Sequence, residues 1–231
     1  MGSVSRGPWL QATESRRMGI LRAVQNIAAW SGGSAAGYLL SERVACLQDP
    51  RPMPHQFAKM LDHPLRMAYR NPTALFDVLA IQPGMTVLDL GCGTGVFTVE
   101  MARRVGDEGR VHAVDIQAPL LEQAQKRLTA AGLAARVEFH HAGANSLPLP
   151  DNAIDIAAVI ATLTQTPDRY GALRELRRVL RFWGRLMISE EMPNPAYVPP
   201  GLIRTWAEEA EFGFMAQLGT LFCYNLLFEK Y

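Results

Sequence analysis

The stretch Val87-Leu88-Asp89-Leu90-Gly91-Cys92-Gly93-Thr94-Gly95 puts glycine at alternate positions between an apolar run and a helical one. Glycines let a backbone approach a ligand closely, and a helix start offers unpaired N–H groups. A strand, a glycine turn and a helix in that order predict a nucleotide-like ligand. Two ligand classes compete. A dinucleotide site has Gly-x-Gly-x-x-Gly, whereas here the sixth place is Val96. Asp89 stands just before the glycines, where it would repel a pyrophosphate and attract a cationic amine. S-adenosylmethionine carries an ammonium and a sulfonium, so it fits this charge pattern better than NAD. Asp115 ends the next apolar run, twenty residues after Gly95. A carboxylate there can accept hydrogen bonds from both ribose hydroxyls. The expected cofactor contacts in this stretch are therefore Asp89, Gly91, Cys92, Gly93, Thr94, Gly95 and Asp115. No metal site is expected, because the five histidines are dispersed apart from the pair His140-His141.

These residues need a parallel sheet to hold them. The apolar pattern predicts strands at 86–90, 110–115, 136–140, 154–160 and 185–190. Helices are predicted between them at 96–105, 118–131 and 170–180, with a further helix at 200–211. Strands at 214–218 and 223–229 are close enough in sequence to form an antiparallel hairpin. The fold class is therefore α/β, a Rossmann-like doubly wound sheet of seven mainly parallel strands with a C-terminal hairpin. Asn71-Pro72-Thr73 predicts a helix start, with Asn71 as cap. The domain division read from this pattern is a helical extension or lid over residues 1–70 and a catalytic domain over 71–231.

The extension differs in charge from the body. Residues 1–70 hold nine Lys/Arg against four Asp/Glu, while 71–231 hold fourteen against eighteen. The whole chain of 231 residues is 48% apolar with a net charge of +1, which argues against global disorder and against a basic nucleic-acid binder. Residues 23–41 are uncharged, but their Gly, Ser, Gln and Asn content is poor for a bilayer. Ser15-Arg16-Arg17 before them weakly resembles a twin-arginine signal. The favoured reading is a helix over 18–30 that packs on its own domain, with peripheral membrane contact through residues 16–30 as the sharper alternative. Residues 48–54 form a proline-rich linker. Residues 55–70 follow as one or two helices with Phe57, Met60, Leu61, Leu65 and Tyr69 on an apolar side. Three widely spaced cysteines, Cys46, Cys92 and Cys223, suit reduced thiols and a cytoplasmic location.

From about residue 72 onward, the chain resembles the seven-stranded S-adenosylmethionine-dependent methyltransferases, particularly the branch with the ubiquinone/menaquinone C-methyltransferases. The resemblance rests on the Val87–Gly95 loop, on Leu147-Pro148-Leu149-Pro150-Asp151 with Ile154-Asp155, and on Glu175 with Arg178-Val179-Leu180. It continues through Gly184-Arg185-Leu186, Glu208-Glu209-Ala210 with Phe212-Gly213-Phe214, and Tyr224 with Phe228-Glu229-Lys230. It implies that Ile116, Gln117, Ala144, Asn145 and Ile160 also contact the cofactor. Two places depart from the family. Gly143 replaces the usual Asp before Ala144, leaving Asn145 or backbone carbonyls to meet the adenine. Phe182-Trp183-Gly184 replaces a Pro-Gly-Gly turn.

The resemblance implies methyl transfer, and the apolar N-terminal segment with its positive charge points to a small, apolar or lipid-like acceptor. The alternatives are a non-catalytic binding subunit or sensor, suggested by Gly143, and an RNA or protein methyltransferase. The latter is disfavoured because Asn194-Pro195-Ala196-Tyr197 lies after the fifth strand and not the fourth. Methyl transfer needs alignment, plus a base when the acceptor must lose a proton. His55, His63 and Tyr69 in the lid segment are the weak candidates for that role. Glu190 and Glu191 read as a solvated strand end, and the oligomeric state is not readable.

Overall fold

The computed structural model describes residues 43–231 except Pro193, and the helix expected over 18–30 and the segment 16–30 lie outside them. The chain divides into two compact units, Met1–Pro50 and Arg51–Tyr231. In the first, residues 43–48 are helical. The second begins twenty residues before the division at 70/71 that the sequence pattern suggested.

In the second unit, α1 (Ala58–Leu61), α2 (Pro64–Tyr69) and α3 (Pro72–Asp77) precede the sheet. Asn71 caps α3 as expected, its side-chain oxygen accepting the Thr73 and Ala74 backbone N–H groups. The alternating part runs β1 (Thr86–Leu90), α4 (Val96–Val105), β2 (Arg110–Asp115), α5 (Ala118–Ala130) and β3 (Val137–His141). It continues with β4 (Ile154–Ile160), α6 (Arg169–Val179), β5 (Leu180–Glu191), α7 (Pro200–Glu209), β6 (Phe212–Gly219) and β7 (Cys223–Lys230). The seven strands lie in the order β3-β2-β1-β4-β5-β7-β6. The first five are parallel, whereas β7 runs antiparallel to β5 and β6 antiparallel to β7.

The central strands are apolar on both faces because helices cover both. One buried cluster includes Leu88, Leu90, Val114, Ile188 and Trp206, and the other Val87, Val111, Ala113, Met101 and Phe76. Several boundaries differ from the expected ones for local reasons. Strand β5 starts at Leu180 because α6 passes directly into extended backbone there, and a register shift follows against β4. Within that start Trp183 takes a left-handed φ of +63°, a place where the family turn uses glycine. Helix α7 stops at Glu209 because Glu211, at φ +63°, turns the chain into β6.

Among the described residues no helix is long and apolar enough to cross a membrane. The apolar side expected over 55–70 faces outward: Phe57, Met60, Leu65 and Tyr69 are exposed, and only Leu61 is half-buried.

Candidate active site

The strand order reverses between β1 and β4, and the carboxyl ends of β1, β2, β4 and β5 carry the polar residues of the site. Gly91, Gly93 and Gly95 adopt φ of +78°, +55° and +78°. A β-carbon on Gly91 would lie 2.1 Å from Thr162 Oγ1, and one on Gly95 would lie 2.9 Å from Ala124. The loop is thus wedged against both the end of β4 and helix α5, which fixes its backbone N–H groups in space.

Asp115 ties this loop to β2. Its Oδ2 accepts the Gly93 N–H at 2.9 Å and its Oδ1 accepts the Gln117 N–H at 2.9 Å. Each carboxylate oxygen retains a second lone-pair direction for a ligand hydroxyl. Burial raises the Asp115 carboxyl above its ordinary range, against those backbone N–H bonds. Asp89 is buried at 2% exposure and accepts a hydrogen bond from Thr98 Oγ1 at 2.6 Å. Burial pushes its carboxyl up to about 7, with the Thr98 bond opposing. Among the described residues no cationic side chain pairs with Asp89. A buried carboxylate of this kind fits a cationic ligand group, which would supply the missing counter-charge.

The remaining expected contacts are distributed unevenly. Ile116 is exposed, and its Cδ1 would be in ordinary contact, at 3.8 Å, with a β-carbon placed on Gly143, so the two residues are neighbours on this margin. Ala144 packs at the edge of the core, and Ile160 is buried at the end of β4. Asn145 donates its amide to the Asp168 carbonyl at 3.0 Å, which ties it to the start of α6. Cys92 is buried and its thiol is pushed up by that burial. After Ile160 the chain is strained: Ala161 has φ +52°, held by an N–H bond to Ser189 and a Gln165 side-chain bond to its carbonyl. Such strain costs about 1–3 kcal/mol and is typical of functional sites.

Residues 51–70 lie across this edge. The Met53 N–H donates to Gln165 Oε1 at 2.7 Å, and its carbonyl accepts from Gln117 Nε2 at 2.9 Å. The linker therefore bridges the ends of β2 and β4. Asp62 accepts from Thr94 Oγ1 at 2.7 Å and pairs with Arg127. Arg66 Nε meets Glu191 Oε1 at 2.8 Å, and the Tyr69 hydroxyl donates to Glu191 Oε2 at 2.8 Å. The buried Arg70 guanidinium bonds Ser189 and lies 3.3 Å from Glu191 Oε2.

The weak base candidates separate on this geometry. His55 and His63 are exposed, and His63 Nδ1 accepts the Leu65 N–H as the cap of α2. Burial and the neighbouring Glu191 push the Tyr69 hydroxyl up to about 12, so Tyr69 holds its proton. The strand-end carboxylates differ from expectation, since neither is solvated. Glu190 is fully buried, accepting from Thr164 Oγ1 at 3.0 Å and from Asn194 Nδ2 at 3.2 Å. Burial pushes it up to about 7, despite those bonds and the nearby Arg70. In Glu191 burial is the largest single influence and raises the carboxyl, but the attraction of Arg70 and Arg66 and the Arg66 and Tyr69 hydrogen bonds together outweigh it and lower the carboxyl. Asn194, read from sequence as part of a proline-rich loop, belongs to this cluster. Glu175 and Arg178 instead hold the 147–151 stretch, through bonds to Leu147 and Leu149.

Residues 81–217 match a protein family described as "Methyltransferase domain". The chain belongs to that family. A ubiquinone/menaquinone biosynthesis C-methyltransferase (UbiE) from Enterobacter sp. strain 638 is 40% identical over 114 residues, covering 49% of this chain and 45% of that one. The protein of the same name from Shewanella frigidimarina is 39% identical over 114 residues, with the same shares of 49% and 45%. The matched stretch thus spans less than half the length of these curated relatives. Among solved structures, a SAM-dependent methyltransferase from Aquifex aeolicus aligns with a TM-score of 0.73 at 25% identity, over 78% of this chain and all of that one. The [4+2]-cyclase SpnF aligns with a TM-score of 0.63 at 20% identity, over 70% of this chain and 80% of that one, and so shares the fold. Family and fold place the chain with the class I S-adenosylmethionine-dependent methyltransferases, and over 114 residues it is similar to the UbiE proteins.

Two of the histidines that are dispersed along the chain meet in space. His112 Nδ1 lies 3.0 Å from His140 Nε2, and Glu138 joins them. Cross-strand pairing of β2 with β3 makes this cluster, and no local spacing announces it.

Proposed function

We propose that the chain is an S-adenosylmethionine-dependent methyltransferase acting on a small apolar, quinol-like acceptor whose nucleophile must release a proton. The cofactor, when bound, supplies an electrophilic methyl group on a sulfonium. Asp115 would hold the ribose hydroxyls, the Gly91–Gly95 backbone would follow the ligand closely, and Asp89 would face its amino group. Ile116 and Gly143 would lie beside the adenine, where Gly143 offers no side chain in place of the family Asp.

Glu190 would take the acceptor's proton. Its buried carboxyl titrates near 7, where a base can both be ionised and accept a proton effectively. Tyr69, Arg66 and Arg70 hold Glu191 ionised beside it and fix the lid to β5. The observation that carries this reading is a buried carboxylate at the same sheet edge as the glycine cradle, with exposed apolar residues beside it. The Met192 N–H donates to the Phe222 carbonyl, and β7 pairs Cys223 with Glu191, so Met192 and Phe222 flank the end of β5. Both are exposed, as are Leu221 and Tyr69 nearby. An apolar rim over a polar floor would exclude water and admit an apolar ring.

The quinol-like chemistry is supported by the names of the curated relatives, and it accords with a cytoplasmic enzyme drawing a lipid acceptor from a membrane surface through residues 16–30. The test is release of S-adenosylhomocysteine with short-chain quinols. Acceptor-dependent release that Glu190→Gln abolishes is the expected result. Saturable cofactor binding with no release from quinols or other apolar acceptors would instead make the chain a binding protein.

A further inference from the structure

A cation-binding geometry sits on the edge of the sheet, apart from the cofactor cradle. His112 on β2 pairs in register with Glu138 on β3, and Val114 pairs with His140. Residues two apart in a strand share a face, so His112, Glu138 and His140 all project from one face of the β2–β3 ladder. His112 Nδ1 is the apex. It lies 3.0 Å from His140 Nε2 and 3.4 Å from Glu138 Oε2, and the three ligand atoms all fall within 4.8 Å of one another. The two imidazoles are tilted by 39°, so they converge edge to edge and do not stack.

A single hydrogen bond from His112 Nδ1 serves one of these two neighbours, not both at once. A neutral imidazole nitrogen carries at most one hydrogen, which can point at the other ring or at the carboxylate. A cation at the centre would satisfy all three. Donors about 2.0–2.2 Å from a common ion stand about 3.0–3.5 Å apart in tetrahedral or octahedral geometry, which matches both measured separations. The donor types agree, since imidazole and carboxylate suit borderline divalent ions. Arg110 lies 3.5 Å from Oε1 of Glu138, the oxygen turned away from the histidine contact, and would orient the carboxylate from behind.

We propose that His112, Glu138 and His140 form a structural site for one divalent transition-metal ion of the zinc class, with water completing its coordination. The site is not catalytic, because three strand residues, about 10 Å, separate His112 from Asp115. Its physical role follows from topology. Among the described residues strand β3 is an outer strand of the sheet, paired to β2, and it leads into Ala142–Ala144, where the proposed cofactor's adenine would lie. An ion shared by β2 and β3 would clip that edge in place. His141 already touches the Ile116 carbonyl at 3.0 Å on the same margin.

Zinc chloride titrated into the untagged, chelator-treated full chain tests the site by calorimetry, with magnesium as control. One saturable zinc site is expected, weakened at least about 10-fold by His112→Ala or by His140→Ala. Glu138→Gln should weaken it less. Absence of saturable zinc binding would overturn the proposal, as would binding unchanged in the His112→Ala/His140→Ala double variant. Long-range proton–nitrogen spectra of the wild-type chain cover the case in which a variant does not fold. Of the five histidines, zinc should shift the ring nitrogens of His112 and His140. Shifts confined to other histidines, or none, would refute the site.

Discussion

The Asp115 carboxylate accepts the Gly93 N–H at 2.9 Å, so the acid that ends β2 and the glycine loop that follows β1 are one unit. Asp115→Ala should therefore weaken S-adenosylhomocysteine binding by at least 100-fold, since charge-assisted hydrogen bonds are worth about 1.5–3 kcal/mol each. It should also lower stability, because the Gly93 and Gln117 N–H groups lose their acceptor. Asn145→Ala should cost only about 1 kcal/mol in affinity. Calorimetry and thermal melts on both variants check this. Stronger loss in Asn145→Ala would mean that the cofactor is misplaced.

Glu190 makes a pH prediction. Burial raises its carboxyl from the ordinary 4.5 to about 7, so the folded chain binds more protons than the unfolded chain between those values. The stabilisation is complete below 4.5 and is lost as pH rises through 7. Asp89, raised to about 7, adds the same sign until a cationic ligand pairs with it. With cofactor saturating, kcat should rise with pH to a plateau above about 7. Glu190→Gln should remove that inflection and lower kcat by about 10²–10⁴. An unaltered profile in Glu190→Gln would assign the base elsewhere.

Removing Glu191 should hurt the fold more than removing Glu190. The Arg70 side chain is 1% exposed and Glu191 is its ion-pair partner. Breaking a buried pair from one side costs about 3–5 kcal/mol. Glu191→Ala should show a loss of that order in urea melts, and Tyr69→Phe about 1 kcal/mol, the worth of one hydrogen bond. Equal, small losses in both would show that Arg70 does not depend on Glu191.

Two left-handed glycines separate backbone strain from packing. Gly132, at φ +70°, has nothing within 4 Å of a β-carbon, whereas at Gly91 that atom would meet Thr162 at 2.1 Å. Gly132→Ala should cost about 1–2 kcal/mol from strain alone. Gly91→Ala should cost more and abolish cofactor binding. Thermal melts with and without S-adenosylhomocysteine measure both.

Deletion of residues 1–50 should leave the Arg51–Tyr231 unit folded and able to bind S-adenosylhomocysteine. Liposome flotation should then fall, because residues 16–30 are gone. Deletion of 1–54 also removes Met53, which bridges Gln117 and Gln165, and should further weaken cofactor binding. Equal affinity in the two truncations would show that the bridge has no role.

The cofactor loop, its helix, the strand alternation and the acid at the end of β2 are legible in chain order alone. These are local: turn glycines and periodic apolar residues act within one strand–helix unit, so chain order suffices to read them. The rest depends on which distant segments the fold brings together. Arg66 and Glu191 are 125 residues apart, and Met53 and Gln165 are 112 apart. No pattern in chain order links such residues, and an Arg, a Tyr and two Glu look solvated until a lid helix and a strand end desolvate them together. The same holds for His112 and His140, 28 residues apart and brought into contact by the β2–β3 register. Burial is a property of the assembled sheet edge, and burial sets the charge state of Asp89 and Glu190, and with it the chemistry the edge can perform.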